Sequence, residues 1–308
     1  MSRRVRIFRV DAFTNSPCTG NPACVVLDAE LLDERELHAI TREQGGVDTA
    51  FVLPPDAADH DLRLRFFTPR AEAGLVGHAT LAAHAVLDAL GYPACRRQKQ
   101  RGSIVEVERL DGPQGKQYAF SQPPPPLLGT LAADQLTALL AALGVGAQEL
   151  DPGCPPVVAG VGRSRALIAV RTGATLARLA PDMSRLASLS AAGNPTGYFV
   201  YSLAPSIADC DTEARMFCPA LGITEDPVSG NAHAMLATQL HALGRIPVRS
   251  GLMEFTGRQG HHLGRPGVLR VRVVGDASRA RLVRVAGSAR IVCDATLELA
   301  GSPAPGSG

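Results

Sequence analysis

Residues 65–91 read RFFTPRAEAGLVGHATLAAHAVLDALG, and residues 215–244 read RMFCPALGITEDPVSGNAHAMLATQLHALG. Each copy opens with Arg, Phe and Pro in a strand-like run and passes through a polar, Gly-containing turn. Each then enters an Ala/Leu-rich helix that ends in Ala-Leu-Gly. From Gly77 and Gly230 onward the copies align without a gap, offset by about 153 residues, half the chain. Self-similarity at this spacing marks a duplicated structural unit. The unit presents two helix N-termini in equivalent ways. A helix N-terminus carries unpaired N–H groups and a partial positive charge, which suits anions and oxyanions. Two such ends facing one cleft make a site for a small carboxylic acid.

Around the repeats the pattern is mostly strand. Residues 4–13 and 24–28 read as strands flanking a Gly/Pro/Asn loop, TNSPCTGNPA. A helix is expected over 33–44 with Asp33 as its N-cap. Strands follow at 49–53 and 62–67, the first repeat helix at 78–90, and a hairpin at 103–109 and 116–121 around DGPQG. Gln122 then leads into four prolines, a stiff extended spacer where a duplicated fold needs its linker. The second half repeats the plan. It has a helix at 132–143, strands at 155–161 and 165–171, short helices at 175–180 and 182–191, and strands at 197–203 and 212–218. The second repeat helix covers 231–243, and strands at 250–257, 268–274 and 281–293 close the chain. Strands outnumber helices, so the expected class is α+β, with two similar domains. Each is a curved, mostly antiparallel sheet around a central apolar helix. The expected boundaries are 1–122 and 127–300, with a flexible tail at 301–308.

Composition narrows the function. The 308 residues are 45% hydrophobic and 19% charged, with net charge +2, no Trp and 4% aromatics. Neither a nucleic-acid surface nor a base-stacking platform is indicated. No run approaches the roughly 20 apolar residues of a membrane span. MSRRVRIFRVDAF places Arg at every second or third position and reads as a first strand, not a signal peptide. Seven scattered Cys without a CxxC suggest neither a zinc knuckle nor a disulfide framework, and a reducing cytoplasm is the expected compartment.

Chemistry-bearing residues gather at the two turns. His78 follows Gly77 at the head of the first repeat helix. A cationic His is disfavoured there, so a neutral imidazole able to pass a proton is expected. Asp226 precedes the second repeat helix, where it suits either an N-terminal cap or an acid. Gly230 and Asn231 correspond to Gly77 and His78, and with backbone N–H groups they are placed to hold a carboxylate or enolate oxygen. Glu43 ends the first helix just before Gly45-Gly46. Glu72 and Glu225 read as solvated charges beside the turns, and Cys218 as a buried small hydrophobe. His261-His262 read as divergent side chains on a surface strand.

Five segments in order carry a resemblance. VDAFTNSPCTGNPACVVL, TREQGGVDTAFVLP, FFTPRAEAGLVGHATLAAHAVL, MFCPALGITEDPVSGNAHAMLA and RQGHHLGRPGVL are similar to the signatures of the phenazine-biosynthesis PhzF-like isomerases. That family resembles diaminopimelate epimerase in fold, and the match spans residues 5–293. The resemblance implies proton transfer on a small carboxylic acid without metal or organic cofactor, in a homodimer. It places the catalytic Glu on Glu43, its Gly-His pair on Gly77 and His78, and its Asp on Asp226, with substrate contacts at Gly230, Asn231 and Asp48. The chain departs from the pattern where Val47-Asp48-Thr49 stands for Ser-Glu-Thr, where Asn231 stands for Ser, and at His233-Ala234. The related two-thiol racemases carry Cys at these turns, which hold none here. Racemisation on the same fold and a non-catalytic binding cleft remain as alternatives.

Overall fold

A computed structural model describes residues 3–112, 115–160, 163–191 and 195–299. In the first half β1 (Arg3–Ala12) and β2 (Asn21–Val26) lead to α1 (Glu34–Glu43). Then come β3 (Thr49–Leu53), β4 (Leu62–Phe67), β5 (Glu72–Ala73) and α2 (Gly77–Ala89), followed by β6 (Arg97–Gln100), β7 (Ser103–Gly112) and β8 (Gly115–Gln122). The second half runs β9 (Leu127–Gly129), α3 (Ala133–Leu143), β10 (Val157–Ala159), β11 (Arg165–Ala169), α4 (Gly173–Ala177) and α5 (Met183–Ala191). It continues with β12 (Gly197–Ser202), β13 (Thr212–Cys218), β14 (Ile223–Asp226) and α6 (Gly230–Ala242). Strands β15 (Leu252–Gln259), β16 (Gly267–Gly275), β17 (Ala280–Gly287) and β18 (Ala289–Leu299) complete it. The class is α+β, with two similar halves.

The halves share one strand order. In the first, β18-β1-β2-β3-β4-β6-β7-β8 pair in turn, with parallel steps at β2–β3 and β4–β6. In the second, β9-β10-β11-β12-β13-β15-β16-β17 pair with parallel steps at β11–β12 and β13–β15. A seam between β8 and β17 joins them, Phe120 opposite Val285. The closing stretch expected as a single strand over 281–293 is two strands. Ser288 separates them, and β18 leaves the second half to pair along β1 of the first. Strand β9, just after the prolines, pairs with β10 inside the second half. Residues 289–299, assigned by sequence to the 127–300 unit, therefore complete the sheet of the first. The tail at 301–308 and the loop residues 113–114 lie outside the described residues.

Each sheet curls around its repeat helix. Along α2, Ala79, Leu81, Ala82, Ala83 and Val86 are all fully buried, and Ala232, Ala234, Leu236, Ala237 and Leu240 do the same in α6. Such helices are apolar on nearly every face, and their Ala residues let surrounding strands approach closely. On the outer side, α1 covers β2–β4 through Leu37 and Ile40. Its start carries the expected cap, reinforced by a reciprocal bond from the Asp33 N–H to Glu36. Helices α3 and α5 cover the equivalent face of β11–β13.

A second duplication appears here. Arg65 on β4 donates to Glu72 on β5, and Arg215 on β13 donates to Glu225 on β14. The expectation that Glu72 and Glu225 are solvated is thereby corrected. The opening Arg of each copy faces the acid of its own turn across a strand pair, so the charges are neutralised in place. No helix among the described residues is long and apolar enough to cross a membrane.

Candidate active site

The repeat turns face each other across a cleft of about 550 Å³. Its lining includes Asp48, Gly77, His78, Asp226, Gly230 and Asn231. The Asn231 Nδ2 donates to the Leu75 carbonyl at 3.2 Å, tying the second turn to the first. Its Oδ1 is buried without a hydrogen-bond partner among the described residues. The start of α2 has no side-chain cap, so its first-turn N–H groups are left for a ligand, whereas Ser229 caps α6 at the Ala232 N–H.

In the structure Glu43 is not brought to the cleft lining. It is the last residue of α1 and exposed, and it does not line the cleft. The local backbone explains why. Gly45 and Gly46 both take positive φ, 70° and 84°, and turn the chain from the outer helix toward β3. That turn carries Asp48 to the cleft and leaves Glu43 behind. The acid this segment contributes is Asp48, in the position where the sequence comparison looked only for a substrate contact.

Asp48 Oδ2 lies 3.5 Å from His78 Nε2, and both side chains are largely buried. Burial pushes the Asp48 carboxyl up to about 6, against a smaller opposing pull from the Arg163 charge. Burial lowers the His78 imidazole, so it is neutral near pH 7, with Asp226 partly opposing the shift. Asp226 is raised, mainly by burial, while His78 draws it down and Asp48 adds to the rise. Asn21 Nδ2 donates to Asp226 Oδ1 at 2.7 Å and to the Val228 carbonyl at 2.8 Å. Gln259 Nε2 donates to the Asp226 carbonyl. These two amides fix the acid's backbone and rotamer. Neither was singled out by the sequence reading, although Asn21 stands inside the TNSPCTGNPA loop.

Arg163 and Arg165 also line the cleft and were missed. They sit among apolar and small residues with no recognisable motif spacing. Cys218 lines it too, with its thiol pushed by burial up to about 12, which makes it a poor acid–base partner at neutral pH. His233 is a core residue: it packs edge-on to Phe199 at 5.0 Å, and its Nδ1 meets the Ser229 carbonyl. The His261-His262 pair lies in a 3₁₀ turn, not a strand, with His262 3.9 Å from Glu213. Among the described residues no group of three or more His, Cys, Asp or Glu side chains is arranged to hold a metal ion.

Gly77 is required by space, not by φ. A Cβ there would stand 2.8 Å from the Phe120 ring, whereas one on Gly230 would meet Phe13 at 3.1 Å. Gly77→Ala is expected to displace the α2 N-terminus and lower kcat/KM at least 10-fold, with about 1–3 kcal/mol lost in stability. Gly230→Ala is expected to cost distinctly less. Steady-state kinetics and urea unfolding of the two variants check the ranking, and equal effects would remove the steric argument.

Comparison with known proteins decides the family. Residues 10–295 match the phenazine biosynthesis-like protein family. The chain belongs to that family. It is 34% identical over 291 residues to the uncharacterized isomerase YddE of Escherichia coli O157:H7, covering 93% of this chain and 96% of that protein. The crystal structure of a Bacillus anthracis phenazine biosynthesis protein of the PhzF family superposes with a TM-score of 0.84 at 26% identity, covering 97% of this chain and 99% of the other. A hydroxyproline epimerase from Agrobacterium vitis shares the fold, with a TM-score of 0.63 at 11% identity and 96% and 93% coverage. Family and relatives together make this member of the PhzF group an isomerase.

Proposed function

We propose that the enzyme moves a proton between carbons of a small carboxylic acid without a cofactor, using Asp48 as the base. The observation that carries this is the contact between Asp48 and a neutral His78 in a largely buried cleft, with Asp226 beyond them. A C–H beside a carbonyl is a weak acid. Its removal needs a base whose pKa lies near the working pH and donors fixed where the enolate charge appears. Burial supplies the first through Asp48. The uncapped start of α2 supplies the second.

Asp48 lifts the proton, His78 relays or positions it, and Asp226, whose carboxyl burial shifts toward the protonated form, returns one to a different carbon. Asn231 contributes an acceptor. Its buried Oδ1 is satisfied when the substrate brings a hydroxyl or amino hydrogen, and an unpaired buried acceptor costs about 1–3 kcal/mol. A homodimer in the cytoplasm accompanies this reading as part of the same proposal. Racemisation by paired thiols draws no support from a cleft whose Cys218 is held far from ionisation.

The test is carbon-bound hydrogen exchange in deuterium oxide, followed by NMR on a panel of small hydroxy and amino acids. The exchange rate should rise with pH through about 6, as Asp48 loses its proton, and then level. Exchange that is absent across the panel, or that does not follow this limb, would defeat the assignment.

A further inference from the structure

Among the described residues the cleft's two arginines, Arg163 and Arg165, form no ion pair with a carboxylate. Arg163 lies on the approach to β11, exposed, and lines the cleft. No described acid forms an ion pair or hydrogen bond with its guanidinium. Its neighbour Arg165 is engaged differently, donating to the Arg163 and Ser164 carbonyls and to Thr196 Oγ1. The acids of the cleft are engaged: Asp48 contacts His78, and Asp226 is held by Asn21.

Charge balance sharpens the point. In the proposed mechanism, Asp48 is ionised and Asp226 protonated when the carbon proton is removed. Two arginines against one carboxylate then leave one net positive charge. The two helix ends add about half a charge each. The total, about two positive charges, is matched by a substrate with two anionic groups. Leu75, Leu221, Ile223 and Met235 also line the cleft. They form an apolar surface suited to the methylenes between two such groups, and a volume of about 550 Å³ exceeds what a short monoacid fills.

Resting on the isomerase reading of this cleft, we propose that its substrates are dicarboxylates. One carboxylate lies at the α2 and α6 N-termini, and the second is bound by Arg163 away from the reacting carbon. A guanidinium–carboxylate pair is charge-assisted and matched in shape, which makes Arg163 a residue of substrate choice.

Calorimetric titration with adipate and with hexanoate, acids of equal chain length, tests this without requiring turnover. The wild-type protein should bind adipate at least 10-fold more tightly than hexanoate. Arg163→Gln should erase that preference while changing hexanoate affinity less than twofold, and Arg163→Lys should keep part of it. Equal affinities in the wild type, failure of adipate to bind at millimolar concentration, or equal weakening of both acids in Arg163→Gln would each overturn the proposal. Asp48→Asn, which cannot exchange hydrogen, should still prefer adipate. A lasting preference without exchange in the wild type sinks only the isomerase reading, and exchange without a preference sinks only this one.

Discussion

Asp48→Asn is expected to lower the exchange rate about 10³-fold, within the range for removal of a general base. Glu43→Gln is expected to stay within about twofold of wild type, because its side chain is exposed at the outer end of α1 and lines no part of the cleft. The pair of variants separates the two acids of one short segment. Loss of activity in Glu43→Gln with retention in Asp48→Asn would reverse the assignment.

Asp48→Asn should also stabilise the fold. The carboxyl is raised from 3.8 to about 6 in the folded protein, so folding favours its protonated form. That contribution is fully present below pH 3.8 and is lost as pH rises to about 6. At neutral pH the ionised group therefore costs about 3 kcal/mol, taking about 1.4 kcal/mol per pH unit. Asparagine removes the charge and with it most of this cost. The stability gap between variant and wild type should open between pH 4 and 6, and urea unfolding across that range measures it. A gap independent of pH would show that Asp48 is not strained by burial.

Glu225→Ala is expected to be the most damaging change outside the site, lowering stability by about 3–5 kcal/mol. Arg215 and Glu225 are 10% and 7% exposed, so truncating the acid leaves a guanidinium in the interior with only the Leu176 and Leu179 carbonyls. The equivalent Glu72→Ala should cost about 1 kcal/mol or less. Arg65 is 29% exposed and keeps a second partner in Glu34. Because Asp226 follows Glu225 on β14, the first variant should also depress turnover in whatever fraction stays folded. Comparable losses in the two variants, read by denaturant unfolding, would mean that burial does not distinguish the copies.

The sequence was most legible where periodicity and repetition act together. The two repeat helices, their shared turns and the α+β class follow from an Ala/Leu pattern that only a surrounding sheet can bury. The positions of His78, Asp226, Gly77, Gly230 and Asn231 follow from the same alignment. Glu43 lies outside the cleft lining because the helix end and the next strand start are six residues apart, and only the double-glycine turn decides which acid reaches the cleft. Glu72 and Glu225 looked solvated because their arginine partners stand 7 and 10 residues earlier, on a different strand. Arg163, Asn21 and Gln259 carry no local signature. Their roles arise from long-range pairing, which single-chain patterns do not encode.

The pairing of β18 with β1 of the other half has a thermodynamic consequence. The first sheet is not complete without a strand delivered by the second half, and the β8–β17 seam runs between the two. Melting the second half strips β18 from the first and exposes backbone groups along β1, and melting either half breaks the seam. Partial unfolding therefore forfeits hydrogen bonds on both sides at once, and the two repeats behave as a single cooperative unit. The catalytic gap between α2 and α6 is held by the entire chain, so its geometry persists until the molecule is lost as a whole.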